Sequence, residues 1–213
     1  MRGPHNIIRL IRTGATLERT GAMNVVLDAF EAPPALRFIA KALGKPFQFL
    51  GYKGDPTMPP ATRALTALGP AYIKFGQILS TRPDVVGNEL AEQLRVLQDK
   101  LPPFPVEIAK AEVQKELGQA TDTIFLEFSE SVAAASIAQV HKAKLAETGE
   151  NVAIKVLRPG IERAFTKDVY AFYLAARIIE IFAPGARRLR PIEVIEHFDG
   201  VVQGGLDLRL ESS

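Results

Sequence analysis

The sequence predicts an α+β protein: a helical stretch, then a β-meander, then helices again. Three observations carry this. Apolar residues recur at three- and four-residue spacing over roughly the first 118 residues and again after residue 161. Near residue 124 the period shortens to two, and short β-type runs follow one another with turn signals between them. The 213 residues are 47% hydrophobic and 23% charged, enough for one substantial core or two small ones, which excludes a disordered tail.

Residues 1–50 read as helical, broken at Pro33-Pro34 and around Gly44-Lys45-Pro46. Gly51 to Thr62 is a loop dense in Gly and Pro. A short helix, Thr62–Leu68, precedes Gly69, and Pro70 suits the first position of the next helix, which carries AYIKFGQILST and stops near Pro83. Another helix runs from Asn88, as its N-cap, to about Asp99, with Leu90, Leu94 and Leu97 on one face. Leu101 to Pro105 is a rigid break. Pro105 opens a helix with Val106, Ala109, Val113 and Leu117 on one stripe and Gly118 as its stop. Ile124, Leu126 and Phe128 then alternate as a strand. SIAQVHKAKL reads as a second strand, Glu147 to Glu150 as a hairpin turn, and NVAIKVL as a third strand ended by Arg158-Pro159-Gly160. Helices follow over about Ile161–Phe182 and from Pro191. A meander this small is not stable alone and must pack on a helix. The domains expected are 1–118, helical, and 119–213, built around the sheet.

Lys and Arg total 26 against 24 Asp and Glu, a balance that does not suggest a dedicated nucleic-acid binder. The chain has no Cys, which excludes disulfides, thiolate metal sites and a cysteine nucleophile. His5, His141 and His197 lie far apart with no HExxH spacing, so no metal site is expected. No apolar stretch reaches the roughly 20 residues of a spanning helix. The basic start, with Arg2, Arg9 and Arg12 around Ile7–Ile11, reads either as a solvated helix with one apolar edge or as a segment for an anionic membrane surface.

In the third strand Val152, Ile154 and Val156 share one face, and Lys155 shares the other with Ala153 and Leu157. A lysine among small and apolar residues is costly to bury unless an anion meets it. It also serves as an edge-strand charge against aggregation. Spacing alone leaves both readings open. Between the first two strands stand Ala133, Ala134, Ala135 and Ser136, small enough for a backbone to approach a ligand closely. Alone, that run also fits a helix start. Loop and lysine together point to a phosphate cradle, as a Gly-rich loop and a V-A-I-K lysine do in protein kinases. Lys74 and Gln77 are three apart on a helix and share a face, with Gly76 between them leaving room for a close neighbour. From this segment alone they are a surface pair on an amphipathic helix.

The sequence resembles the UbiB family of atypical, kinase-like proteins. The resemblance is carried by KFGQILSTRPD (Lys74 to Asp84), VAAASIAQVHKA (Val132 to Ala143), VAIKVLRPGI (Val152 to Ile161) and LDLRLES (Leu206 to Ser212). It is dense from about Gly69 onward. It implies a helical N-terminal extension with a K-x-G-Q motif, followed by a protein-kinase-like N-lobe of antiparallel sheet and C-type helix. It implies ATP as cofactor, with nucleotide contacts from Ala133, Ala134, Ala135, Ser136 and Lys155, and with Glu211 orienting Lys155. It gives Lys74, Gln77 and Asp207 a regulatory role, Lys74 and Gln77 gating the pocket and Lys74 meeting the carboxylates of an E-x-D motif. Mg²⁺ is expected to be held by a C-lobe, and no H-x-D-x-x-x-x-N or DFG occurs here, so no catalytic residue is expected in this chain. The E-x-D glutamate falls on Gly205, and Gly204-Gly205 weakens the helix by about 1 kcal/mol per glycine.

The expectation is thus the N-terminal extension and N-lobe of a longer UbiB-type kinase or ATPase. By the same resemblance it supports ubiquinone biosynthesis at the cytoplasmic face of a bacterial inner membrane. The partners implied are a nucleotide, a lipid or polyprenylphenol intermediate, ubiquinone-biosynthesis proteins and the membrane surface. The rival is a non-catalytic scaffold that binds lipids or partner proteins through its N-terminal helices.

Overall fold

The computed structural model describes residues 4–98, 102–182 and 190–206. A helical stretch leads into a three-stranded antiparallel sheet and further helices, the α+β layout of a kinase-like N-lobe with a helical extension. Among the described residues no kinase C-lobe follows. Two compact units form. One combines Met1–Gln98 with Glu162–Ser213, and the other is Asp99–Ile161.

The helical unit opens with α1 (Pro4–Thr20), α2 (Ala22–Ala29) and α3 (Pro34–Gly44), then a 3₁₀ segment, Lys45–Leu50. Prolines set these boundaries, as expected at Pro70, whereas Pro83, expected as a stop, begins the next helix. Pro34, Pro60, Pro70 and Pro83 each open a helix, where the missing N–H costs nothing. The helices they open include α4 (Pro60–Leu68), α5 (Pro70–Ser80) and α6 (Pro83–Arg95). The helix expected to start at Asn88 starts at Pro83 instead, and what stands beside Asn88 is a kink within it. Gly87 adopts φ 77° and ψ 160°, a conformation cheap only for glycine, and interrupts a helix already begun at Pro83.

The helices α9 (Ile161–Phe182) and α10 (Pro191–Leu206) complete this unit. Val169, Phe172 and Ala176 keep one buried stripe on α9, while Tyr170 and Ile181 stay exposed. Aromatic rings join α5, α9 and α10: Phe172 lies 4.7 Å from Tyr72, 5.0 Å from Phe75 and 5.7 Å from Phe198. Such pairs add stability beyond the area they bury. No described helix is long and apolar enough to cross a membrane.

Arg9 on α1 pairs with the buried Asp168 on α9. Burial pushes the Asp168 carboxyl above its ordinary 3.8, against the opposing pull of Arg9. The folded state therefore holds this proton more tightly than the unfolded chain. That contribution is complete below the unfolded value and is lost as pH rises through the folded one. Asp168→Asn is expected to flatten the fall in stability above about pH 4. Urea unfolding at a series of pH values checks this, and parallel curves for the two proteins would refute it.

The second unit is a sheet in the order β1 (Phe125–Ala134), β2 (Ala138–Leu145), β3 (Asn151–Leu157), with α7 (Val106–Leu117) and the turn α8 (Thr121–Ile124) before it. Gly118 ends α7 in the left-handed conformation. Ala109 and Val113 of α7 pack with Phe125, Ala143 and Val156, and Val152 and Ile154 join the same cluster. The expected face of β3 is therefore the packed one. Of the residues expected to share the buried face of the first strand, Ile124 and Phe128 pack in the same cluster and Leu126 does not. Leu126 is 62% exposed, whereas Phe125 and Phe128 point into the cluster. The register slips between Phe125 and Glu127 and again beyond Phe128, so the simple alternation fails there.

Candidate functional site

The pairing of strands places Ala133 opposite Val140, and Val140 opposite Lys155. Directly opposed residues project from the same face of a sheet. Ala133, Val140 and Lys155 thus form one row across all three strands, on the face away from the Val152–Ile154–Val156 cluster. With strands about 4.8 Å apart, the alanine-rich end of β1 lies about 10 Å from the Lys155 backbone. The two features picked out separately in the sequence meet on one surface, and Lys155 is half-buried there.

Ala133 and Ala134 belong to β1 itself, Ala134 paired with Gln139, rather than to an open loop. The connection shortens to Ala135, Ser136 and Ile137, closed by the Ala135 N–H donating to the Ala138 carbonyl at 2.8 Å. Ser136 is buried. The guanidinium of Arg158 donates to the Ala135 carbonyl at 3.3 Å and to the Pro102 carbonyl at 2.8 Å, tying the hairpin to the proline segment before α7. Arg158 also lies over the Phe104 ring, 5.6 Å from its centroid.

A buried polar pair supports the same hairpin. The Gln139 side chain accepts from the Phe104 N–H at 2.9 Å and donates to the Phe104 carbonyl at 3.1 Å. Its Nε2 lies 2.8 Å from Nε2 of His141, and His141 Nδ1 lies 2.8 Å from the Ser129 carbonyl. A carbonyl only accepts, so the hydrogen-bond pattern assigns the imidazole proton to Nδ1 and leaves Nε2 to accept from Gln139. Sequence reasoning missed this pair. Its signal was two polar residues in step with Ala143 and Leu145 on one face of β2.

Lys74 and Gln77 lie on α5 in the helical unit, both half-buried. The Gln77 amide donates to the Leu97 carbonyl at 2.6 Å. The close neighbour of Gly76 is a leucine cluster: an added Cβ would fall 2.4 Å from Leu97 Cδ1 and 2.7 Å from Leu65 Cδ1. Gly205 is a half-buried residue of α10. Asp207 and Glu211 lie outside the described residues.

The residues that would face a nucleotide fit part of its chemistry. Lys155 supplies a cation beside small residues, and the 135–137 backbone is narrow and braced. Among the described residues no group of three His, Cys, Asp or Glu gathers to hold a metal ion.

A family model described as the ABC1 atypical kinase-like domain matches residues 96–213. The chain is 45% identical over 151 residues to a probable protein kinase UbiB of Marinobacter nauticus, covering 70% of this chain and 27% of that protein. It is 46% identical over 151 residues to the namesake in Aliivibrio fischeri, covering 70% of this chain and 28% of that protein. Against that of Pseudomonas paraeruginosa it is 38% identical over 208 residues, covering 96% of this chain and 38% of the relative. The chain thus spans between 27% and 38% of the length of these relatives. No solved structure matches it. With more than half its length inside the matched domain, the chain belongs to the UbiB-type ABC1 family of atypical kinase-like proteins.

Proposed function

We propose that this chain carries the nucleotide-binding N-lobe of a UbiB-type kinase or ATPase that supports ubiquinone biosynthesis at the membrane. The observation that carries the reading is the row Ala133–Val140–Lys155, which sets a lysine beside a small-residue hairpin on one sheet face. Lys155 meets nucleotide phosphates there. Ala133, Ala134, Ala135 and Ser136 let the backbone lie close to them, and Glu211 orients the lysine. Alanine in place of glycine keeps the approach close but holds the hairpin to fewer conformations. ATP bound with Mg²⁺ supplies a transferable phosphoryl group, and the metal's ligands belong to a C-lobe. Lys74, Gln77 and Asp207 act as regulatory residues. The bond from Gln77 to Leu97 fixes the α5 helix that presents Lys74.

The test is MgATP binding by the full-length protein. Lys155→Ala is expected to weaken it about tenfold or more, the scale of one lost charge-assisted hydrogen bond. Unchanged affinity would overturn the assignment of Lys155.

A second reading, a non-catalytic scaffold, draws on the exposed Ile7, Ile8, Phe38 and Phe49 of the helical unit. With basic residues around them, these suit a peripheral contact with an anionic membrane surface. Binding to anionic vesicles together with no measurable MgATP binding would favour it.

A further inference from the structure

Inside the helical unit lies an apolar cavity of about 260 Å³, partly open to solvent. It is walled by α1, α2, α4, α5, α6, α9 and α10. Leu65, Phe75, Leu94, Phe172, Ala175 and Ile195 are among its lining side chains. Two lining residues carry hydroxyls, Thr13 and Tyr72, and both hydroxyls are engaged. Thr13 donates to the Arg9 carbonyl at 3.0 Å, which leaves its oxygen to accept from Tyr72 at 2.6 Å. Burial pushes the Tyr72 phenol up to about 12, so it stays protonated and keeps donating. The walls therefore offer a guest no polar partner.

Native interiors hold few voids larger than a water molecule. A purely apolar void does not fill with water, because water needs two or more polar partners there. A cavity of about 150 Å³ with such walls accepts benzene, so this one accommodates on the order of ten carbons. We infer that the helical unit binds one hydrocarbon chain of about that length, with any polar end left at the open side. The site is separate from the Lys155 face and lies wholly within the other unit. The chain can come from a linear acyl compound or from a branched isoprenoid.

Decanol and geraniol, ten-carbon alcohols of the two types, test this by calorimetric titration and thermal unfolding of the 213-residue chain. At least one is expected to bind one-to-one and to raise Tm by about 5–10 °C at a hundredfold excess over Kd. The larger shift identifies the source. Ala175→Leu, which fills the cavity, is expected to weaken binding at least tenfold. Ala175→Val is the milder filling should the leucine prevent folding. No binding of either alcohol to the folded chain would overturn the inference, and so would equal binding by wild type and a folded filled variant. No nucleotide enters the measurement, so its failure leaves the Lys155 reading standing, and the converse also holds.

Discussion

Gly51→Ala is expected to lower the unfolding free energy by about 3 kcal/mol. A Cβ at this position would fall 2.5 Å from both the carbonyl carbon and oxygen of Ala15 and 2.7 Å from the Thr16 nitrogen. These are backbone atoms in the middle of α1, held by the helix and unable to swing aside as a side-chain tip would. The approach is pinned from both sides. Arg19 donates to the Gly51 carbonyl at 2.7 Å, and the Tyr52 N–H donates to Thr16 Oγ1 at 3.0 Å. An added methyl must break these bonds or push the 3₁₀ segment off α1. At about 2–4 °C per kcal/mol for a chain of this size, Tm should fall by about 6–12 °C. Gly14→Ala is the control. It lies in the same helix with nothing within 4 Å of its added Cβ, and should stabilise by up to about 1 kcal/mol. A Gly51→Ala protein within 0.5 kcal/mol of wild type (roughly the error for a surface substitution) would refute the close-approach account.

Gln139→Leu is expected to cost about 3 kcal/mol. Gln139 is 1% exposed and His141 is fully buried. Leucine would leave the Phe104 N–H and carbonyl, and the bare Nε2 of His141, without their partner. Each orphaned buried group costs about 1–3 kcal/mol, reduced at Phe104 by its partial exposure. His141→Leu should cost a similar amount by releasing the Ser129 carbonyl. Because the two residues share one hydrogen bond, the double variant should cost less than the sum of the two. Urea unfolding of the four proteins gives the coupling. Strict additivity would mean that the pair does not act as a network. Since the same residues brace Phe104 and the hairpin, Gln139→Leu should also weaken MgATP binding in the full-length protein.

Much of the fold was legible because Pro and Gly mark the element ends. Pro70, Gly118 and the Arg158-Pro159-Gly160 stop all stand where the backbone requires them. The period-two pattern over Val152–Val156 gave the correct face because β3 pairs without a register slip. It failed at Leu126 because β1 slips, and a slip is defined against the partner strand rather than within its own residues. Lys155 and the alanine run were each visible in sequence. Their alignment in one row was not, since it depends on two strand registers together. Gln139 and His141 escaped notice because a polar residue on a strand gives no sign of whether a partner waits on a distant loop. The cavity was invisible for a related reason. Its walls come from helices up to about 180 positions apart in the chain, and no local pattern records the space between them.

The helical unit is discontinuous, with the sheet unit inserted between its two parts. This has a consequence for the order of events during synthesis. A ribosome delivers α1 through α6 first, but their partners α9 and α10 emerge only after the whole meander has been made. The Arg9–Asp168 contact closes across 159 residues. The hairpins of the meander need only short loops, and local pairings of that kind form much faster than distant ones. The sheet can therefore be complete while the earlier-made helices still await their partners. Until then the faces of α5 that hold Tyr72 and Phe75 remain open, which makes the interval before α9 arrives the stage of greatest exposure to aggregation.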